Sequence, residues 1–502
     1  MKTAELFRLQ EMFQFRTDTV SPVKTETEIS RDLENLYITV KCYEPENVNT
    51  ASTGNAYAVW QGDNLEVMLG NMGDHPWYRH FVLGAGGGRH SIYAGLNDWH
   101  GRITALEDHY WEAEFVIPFR LLGKFDRTLR FNLLRQRTKE LQTASKIEYG
   151  HDVELFLEFP IELPDDYIKH GPWIFQVSTD SASIGWETIG ECESKLEIRK
   201  LGDTEYDTVT EYAVSDNRKL RRVHLKELEP DTVYEYRIGY ADGEFRTMKA
   251  ENADFSFLLL ADTHDDAVRF SQIIQRPEIQ DCDFAVYLGD MLTSSLDRSL
   301  YYDAFLDSSV KYWKKPFHYM RGNHEFRGCG KGAFRELFGR GHYVFHHGGV
   351  MFITFEVQGD LPLEAKRRWD EEQESFLKTL IETPEFKNAR NRIVLSHVAP
   401  LMADDSEAHA AEKVFRHFQA GSIDLFLSGH KHSYSYIAPG ADKIESLNVK
   451  RFGGRPAMVH DYPLLVAHYG GFMRVERKGN TLTVHTWNEC DQKLDEKQFP
   501  LN

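Results

Sequence analysis

Five short apolar runs, each closing on residues able to bind a metal ion, constrain this chain more than any other feature. They read FSFLLLADTH (Phe255–His264), DFAVYLGD (Asp283–Asp290), PFHYMRGNHE (Pro316–Glu325), RIVLSH (Arg392–His397) and DLFLSGHKH (Asp424–His432). Each has the length and β-rich composition of a buried strand. A strand that delivers Asp, Asn or His at its end is a poor core element but a good approach to a site. Open α/β sheets bind ligands at the carboxyl ends of their strands, so these endings are predicted to converge. Helices are predicted between them: Phe270, Ile273 and Ile274 share one helical face, as do Val414, Phe415 and Phe418, and Glu371–Phe386 is also amphipathic.

At 502 residues the chain is too long for one core. Three domains are predicted, over 1–163, 164–250 and 251–502. A hydrophobic fraction of 41% and an aromatic fraction of 13% are those of a globular protein. No stretch approaches the roughly 18 to 20 apolar residues of a membrane helix, and Met1–Phe13 lacks the apolar core of a signal peptide. The expectation is therefore a soluble, cytoplasmic protein with no membrane partner, or an extracytoplasmic one if a leader has been removed. A formal net charge of -19 argues against bulk nucleic acid as a partner, because phosphate backbones are held by cationic faces. Cys42, Cys192, Cys282, Cys329 and Cys490 are scattered without a CxxC pair, which offers no thiolate zinc site and fits a protein that does not rely on disulfides.

Up to about Pro160 the chain alternates in strand-length runs broken by Gly, Asn, Asp and Pro, the pattern of a β-sandwich. Asn35-Leu36-Tyr37, the tryptophan and acidic segment Trp60–Glu66, the run Trp111–Phe119 and Arg130–Asn132 together resemble the family nine carbohydrate-binding modules. Carbohydrate is the partner this resemblance implies. Trp60, Trp77, Trp99 and Trp111 either stack on sugar rings or fill the sandwich core. After the Pro- and charge-rich PIELPDDYIKHGP comes a second set of short strands. Trp186 takes the place of an inter-sheet core tryptophan and Tyr234 that of a tyrosine corner. This segment resembles a fibronectin type III fold, in particular the small domain preceding the catalytic domain of purple acid phosphatases.

In the last domain the ordered set is Asp262-x-His264, Gly289-Asp290, Gly322-Asn323-His324-Glu325, Ser396-His397 and Gly429-His430-Lys431-His432. Imidazole and carboxylate suit Zn, Fe or Mn, and one carboxylate can bridge two cations about 3.5–4 Å apart. The glycines would let the backbone turn sharply beside the ligands. The set resembles that of the calcineurin-like metallophosphoesterases, over essentially Phe255 to Asn488. That resemblance implies an α/β/β/α sandwich behind the two β-sandwiches, and two divalent ions that act on a small phosphoester substrate. It assigns Asp262, His264 and His432 to the first ion, Asn323, His397 and His430 to the second, and Asp290 to both. A metal-bridging hydroxide would attack phosphorus, with His324 as proton donor and Glu325 orienting its ring. Arg321 in RGNHE either contacts phosphate or is a solvated side chain.

One departure narrows the metal chemistry. Purple acid phosphatases carry a tyrosine three residues after the bridging aspartate and glycine at the first-motif histidine, whereas this chain has Thr293 and His264. A colourless centre is expected. His342, His346 and His347 either line the cleft or are surface and turn residues. The Gly479-Asn480 turn is predicted to join a hairpin closing a second sheet. The function expected is hydrolysis of phosphoric esters, monoesters before diesters; the alternative is a carbohydrate-binding protein whose phosphoesterase domain is inactive.

Overall fold

The structure, a computed structural model, describes residues 4–501 apart from 33, 54–55, 73–75, 93–98, 123–126, 139, 146–150, 162, 210–212, 215–217, 240, 251–252, 329–331, 357–362, 401–405, 419–420 and 447–457, so Cys329 lies outside the described residues. The chain divides into two compact units, Met1–Pro164 and Asp165–Asn502.

In the first unit the strand Asn35–Tyr43 shows the alternation that builds a sandwich. Leu36, Ile38, Val40 and Cys42 are buried, and the residues between them face outward. The strand pairs antiparallel with Thr25–Arg31 and with Tyr110–Pro118. Asn64–Asn71, Trp77–Gly84 and Thr128–Gln136 form the middle of the second sheet. Phe81 from one sheet and Phe115 from the other flank Trp99 at ring-centroid distances of 5.4 and 5.7 Å. Trp99 and Trp111 are both buried core residues, which removes them as sugar platforms. Burying an indole of this size is worth up to about 4–6 kcal/mol of transfer free energy. Trp60 and Trp77 remain partly exposed, Trp60 edge-on to His90 and Trp77 beneath the Arg79 guanidinium.

The second unit opens with another two-sheet sandwich. Ile168–Phe175, Ala182–Thr188 and Leu220–Leu225 lie in one sheet, and Leu196–Lys200, Val233–Ile238 and Ala241–Arg246 in the other. Trp186 is fully buried and donates its Nε1–H to Ser194 Oγ at 3.1 Å. Tyr234 Oη accepts from the Glu229 N–H at 2.9 Å, the upstream backbone bond of a tyrosine corner.

This sandwich is welded to the strands C-terminal to it. Ile168–Phe175 pairs in parallel with Phe317–Tyr319 through Phe175 and Phe317, so the sheet continues through Phe284–Tyr287 and Phe255–Leu260, ten strands among the described residues. The hairpin Phe472–Lys478/Thr481–Trp487 turns at Gly479-Asn480 as predicted. It joins this same sheet, with Phe255 opposite Arg477, rather than closing a second one. The other sheet is built on the parallel strands Val350–Phe355, Asn391–Ser396, Leu425–Ser428 and Leu464–Val466.

Successive residues of Phe255–Leu260 point in opposite directions. Phe257 and Leu259 join Phe284, Phe352, Leu395 and Leu427 between the sheets. Leu258 and Leu260 pack outward on Phe270, Ile273 and Ile274 of the helix Ala267–Ile274, which Asp266 caps through the Arg269 N–H. On the far side Met351, Ile353, Val394 and Phe426 meet Leu377 of the helix Leu363–Leu380, and Val414 and Phe415 of Ser406–Phe415. The predicted helix 371–386 is therefore the end of a longer one. It stops before Thr383, which caps a short helix starting at Pro384. The layers run α/β/β/α.

Candidate metal centre

Because the motif strands of each sheet run parallel, their carboxyl ends lie on one side of each sheet. Two contacts stitch those ends together across the sheets. His397, after Asn391–Ser396, donates its Nδ1–H to Leu288 O at 2.7 Å, just beyond Phe284–Tyr287. The His430 N–H, after Leu425–Ser428, reaches Asp262 Oδ2 at 2.9 Å.

The backbone at these ends is left-handed at residues that are not glycine. Asp262 (φ 57°), His264 (48°), Asp265 (65°), Asp290 (52°), His430 (76°) and His432 (56°) all have positive φ. Asp and His tolerate this region better than most residues, but each such position still costs on the order of 1 kcal/mol or more, which clusters where function holds it. Two glycines make the close approach feasible. A Cβ on Gly289 would lie 2.4 Å from Gly322 N, and one on Gly322 would lie 2.2 Å from Asp290 Oδ1.

The result is two donor groups with one member in common. Asp262, His264, Asp290 and His432 present ligand atoms all within 4.8 Å of one another, and so do Asp290, His397 and His430. Asn323 joins the second group, its Oδ1 lying 3.0 Å from His430 Nδ1. Asp262, Asp290, Asn323 and His397 form a buried floor, while the His432 side chain is 41% exposed at the rim.

The donors fit cations. With its Nδ1–H committed to Leu288 O, His397 turns Nε2 inward, where it is buried without a well-formed hydrogen bond, 3.1 Å from Asp290 Oδ2. Burial alone would strip the proton from this imidazole. Asp290 and Asp262 outweigh burial and push its pKa up to about 10, while His397 and His324 hold the buried Asp290 carboxyl well below its usual range. His264 Nε2 and His432 Nε2 face each other at 3.1 Å, as two lone pairs aimed at one ion would. The two carboxylates thus favour positive charge at this spot.

The remaining candidates are placed as follows. His324 sits at the rim, its N–H donating to Asp290 Oδ1 at 2.8 Å and its Nδ1–H to Thr293 O at 2.7 Å. Glu325, expected to orient that ring, points the other way, because consecutive residues of the tight turn His324–Phe326 diverge by about 120°. Its Oε1 accepts from Met291 N, Leu292 N and Tyr319 Oη, and its Oε2 from Asp290 N and Gly322 N. Glu325 therefore holds the Asp290 loop.

Arg321 is neither solvated nor offered to phosphate. It is 3% exposed, makes a two-pronged ion pair with Glu356 (2.7 and 3.1 Å), and lies against Phe326, Phe334 and Trp369. His342, His346 and His347 do not reach the ligand clusters. His342 bonds Gln373, His346 faces Glu385 and His347 accepts from Lys249 N. Sequence reasoning missed Tyr469, whose ring stands 5.8 Å from His264 and 5.1 Å from His432 and is 38% exposed. It also missed Arg327, which contacts His324. Tyr469 lies ten residues before the Gly479-Asn480 turn with no motif around it, whereas Arg327 follows the GNHE string by two residues.

Residues 255–434 match the family model of the calcineurin-like phosphoesterases, and this segment is such a domain. No match is found among curated proteins. Among solved structures, a family nine carbohydrate-binding module from Caldicellulosiruptor kristjanssonii in complex with cellotriose is 14% identical, over 32% of this chain and 85% of that one, with a TM-score of 0.25. TT1561 of Thermus thermophilus is 13% identical, over 49% of this chain and 99% of that one, with a TM-score of 0.32. The FN1–FN3 domains of chicken CNTN1 are 10% identical, over 49% and 99%, with a TM-score of 0.14. Likenesses of this size assign neither ligand nor activity. Among the described residues no helix is long and apolar enough to cross a membrane.

Proposed function

Taking residues 255–434 as a calcineurin-like phosphoesterase domain, we propose that the protein hydrolyses phosphoric esters with two divalent ions held at this centre. Asp262, His264 and His432 would hold one ion, Asn323, His397 and His430 the other, and Asp290 both. The observation that carries this reading is that Asp290 belongs to two donor groups at once. The donor chemistry suits Mn, Zn or Fe. When bound, such ions supply Lewis acidity toward phosphoryl oxygens and a nucleophile at neutral pH.

The chain's own residues do the rest. Glu325 fixes the Asp290 backbone through two N–H groups on one oxygen and two on the other. The Nδ1–H of His397, committed to Leu288 O, keeps its Nε2 directed at the shared carboxylate. With the Nδ1–H of His324 committed to Thr293 O, Nε2 is the atom that would take up a proton from solvent and pass it to the departing alcohol oxygen. Its place at the rim puts that proton where an ester enters.

The test is turnover of p-nitrophenyl phosphate and of bis(p-nitrophenyl) phosphate after chelation and re-addition of Mn, Zn or Fe. The expected result is metal-dependent release of p-nitrophenol, with the monoester preferred. Absence of turnover with every metal, together with retention on immobilised glycans, would replace this reading with that of a carbohydrate-binding protein whose phosphoesterase domain is inactive.

A further inference from the structure

The motif arginine, Arg321, is fully engaged by Glu356 in the interior, which leaves open which side chain meets the anionic oxygens of a substrate. Arg327 is exposed at the rim, three residues beyond His324. Its Nη1 lies within hydrogen-bond distance of both ring nitrogens of His324, 3.0 Å from Nδ1 and closer to Nε2. The Nδ1–H is already taken by Thr293 O, so Nε2 carries the lone pair. Contact with both nitrogens at once puts Nη1 against the imidazole ring and off the lone-pair direction of Nε2, so the guanidinium covers the ring without a directed hydrogen bond to it.

The backbone on which Arg327 sits is anchored on both sides. Its N–H donates to His324 O at 3.0 Å and its carbonyl accepts from Ser295 N at 3.0 Å. Gly328 (φ 87°) completes the turn, where a Cβ would lie 2.4 Å from Ser295 O. Only the side chain has to move. An imidazole ring offers a guanidinium little compared with a phosphoryl group, which presents two anionic oxygens to its planar fork.

Resting on the phosphoester reading above, we propose that Arg327 is the residue that grips the phosphoryl group. Its guanidinium leaves the His324 ring for the non-bridging oxygens when an ester or orthophosphate enters, and in doing so opens Nε2 to the solvent proton it must take up before passing one on. The reading that gave this role to Arg321 is replaced by one six residues further along the same turn.

The test uses the full-length, Mn-loaded protein and inorganic phosphate alone. Calorimetric titration compares the parent with Arg327→Ala and Arg327→Lys, and metal content is measured on each. Loss of a charge-assisted contact is expected to weaken phosphate binding about tenfold or more in R327A and less in R327K, with metal content unchanged. A phosphate affinity of R327A within about twofold of the parent would overturn the proposal, and so would loss of metal from R327A, which would make Arg327 a structural part of the centre. The two readings fail separately. Arginine-dependent phosphate binding without any ester turnover would sink the hydrolase reading alone, and turnover with arginine-independent phosphate binding would sink this one alone.

Discussion

Glu325→Gln is nearly isosteric, yet the structure predicts that it loosens the loop carrying Asp290. The carboxylate is fully buried and receives five donors, three on Oε1 and two on Oε2. An amide has one acceptor oxygen. If its NH2 replaces Oε2, the Asp290 and Gly322 N–H groups face a donor; if it replaces Oε1, the Met291 and Leu292 N–H groups do, and Tyr319 alone can turn to accept. Either way two buried charge-assisted bonds are lost, at about 1.5–3 kcal/mol each, or about 3–6 kcal/mol in all. Local opening of the segment should rise by more than about 100-fold. Hydrogen exchange read by mass spectrometry over residues 288–293 measures this directly, with metal content measured in parallel. Exchange within about threefold of the parent would refute the claim that Glu325 holds this loop.

Two further outcomes are expected. His324→Ala should keep its metal content and lose about 10²–10⁴-fold in kcat on p-nitrophenyl phosphate, and turnover equal to the parent would remove His324 from the reaction. Arg321→Ala should destabilise the Asp165–Asn502 unit by about 3–5 kcal/mol in urea unfolding, because it strands a buried carboxylate. The same ion pair sets a pH dependence. Burial raises the Glu356 carboxyl, but Arg321 and His342 outweigh it and bring the pKa down to about 2. A lowered folded pKa means stability that is present above the unfolded value of about 4.3 and lost as pH falls toward 2, so the thermal midpoint of the parent should drop steeply between those values while that of R321A changes less.

The grouping of the candidate ligands was legible in the sequence because its signal is local. An apolar run that stops on Asp or His declares both a strand and the polar end of that strand, and five such runs need only a parallel sheet to bring their ends together. What was not legible depends on residues far apart in the chain. RGNHE looks the same whether its arginine faces solvent, phosphate or Glu356, and only the fold puts Glu356, at the end of Val350–Phe355, beside it. GNHE likewise does not say that Glu325 points away from His324, since that follows from the tight turn they share. The weld between the small sandwich and the sheet of the phosphoesterase domain rests on the pairing of Phe175 with Phe317, which no period in either segment announces. The four tryptophans of the first unit were equivalent by pattern, and packing separated Trp99 and Trp111 from Trp60 and Trp77.

The proposed function requires one aspartate, Asp290, to serve two ions. A crystal of the protein grown with Mn, with anomalous scattering recorded at the Mn edge, tests it most directly. Two peaks about 3.5–4 Å apart, both within coordination distance of Asp290, are the predicted result. A single peak, or two peaks of which only one touches Asp290, would contradict it.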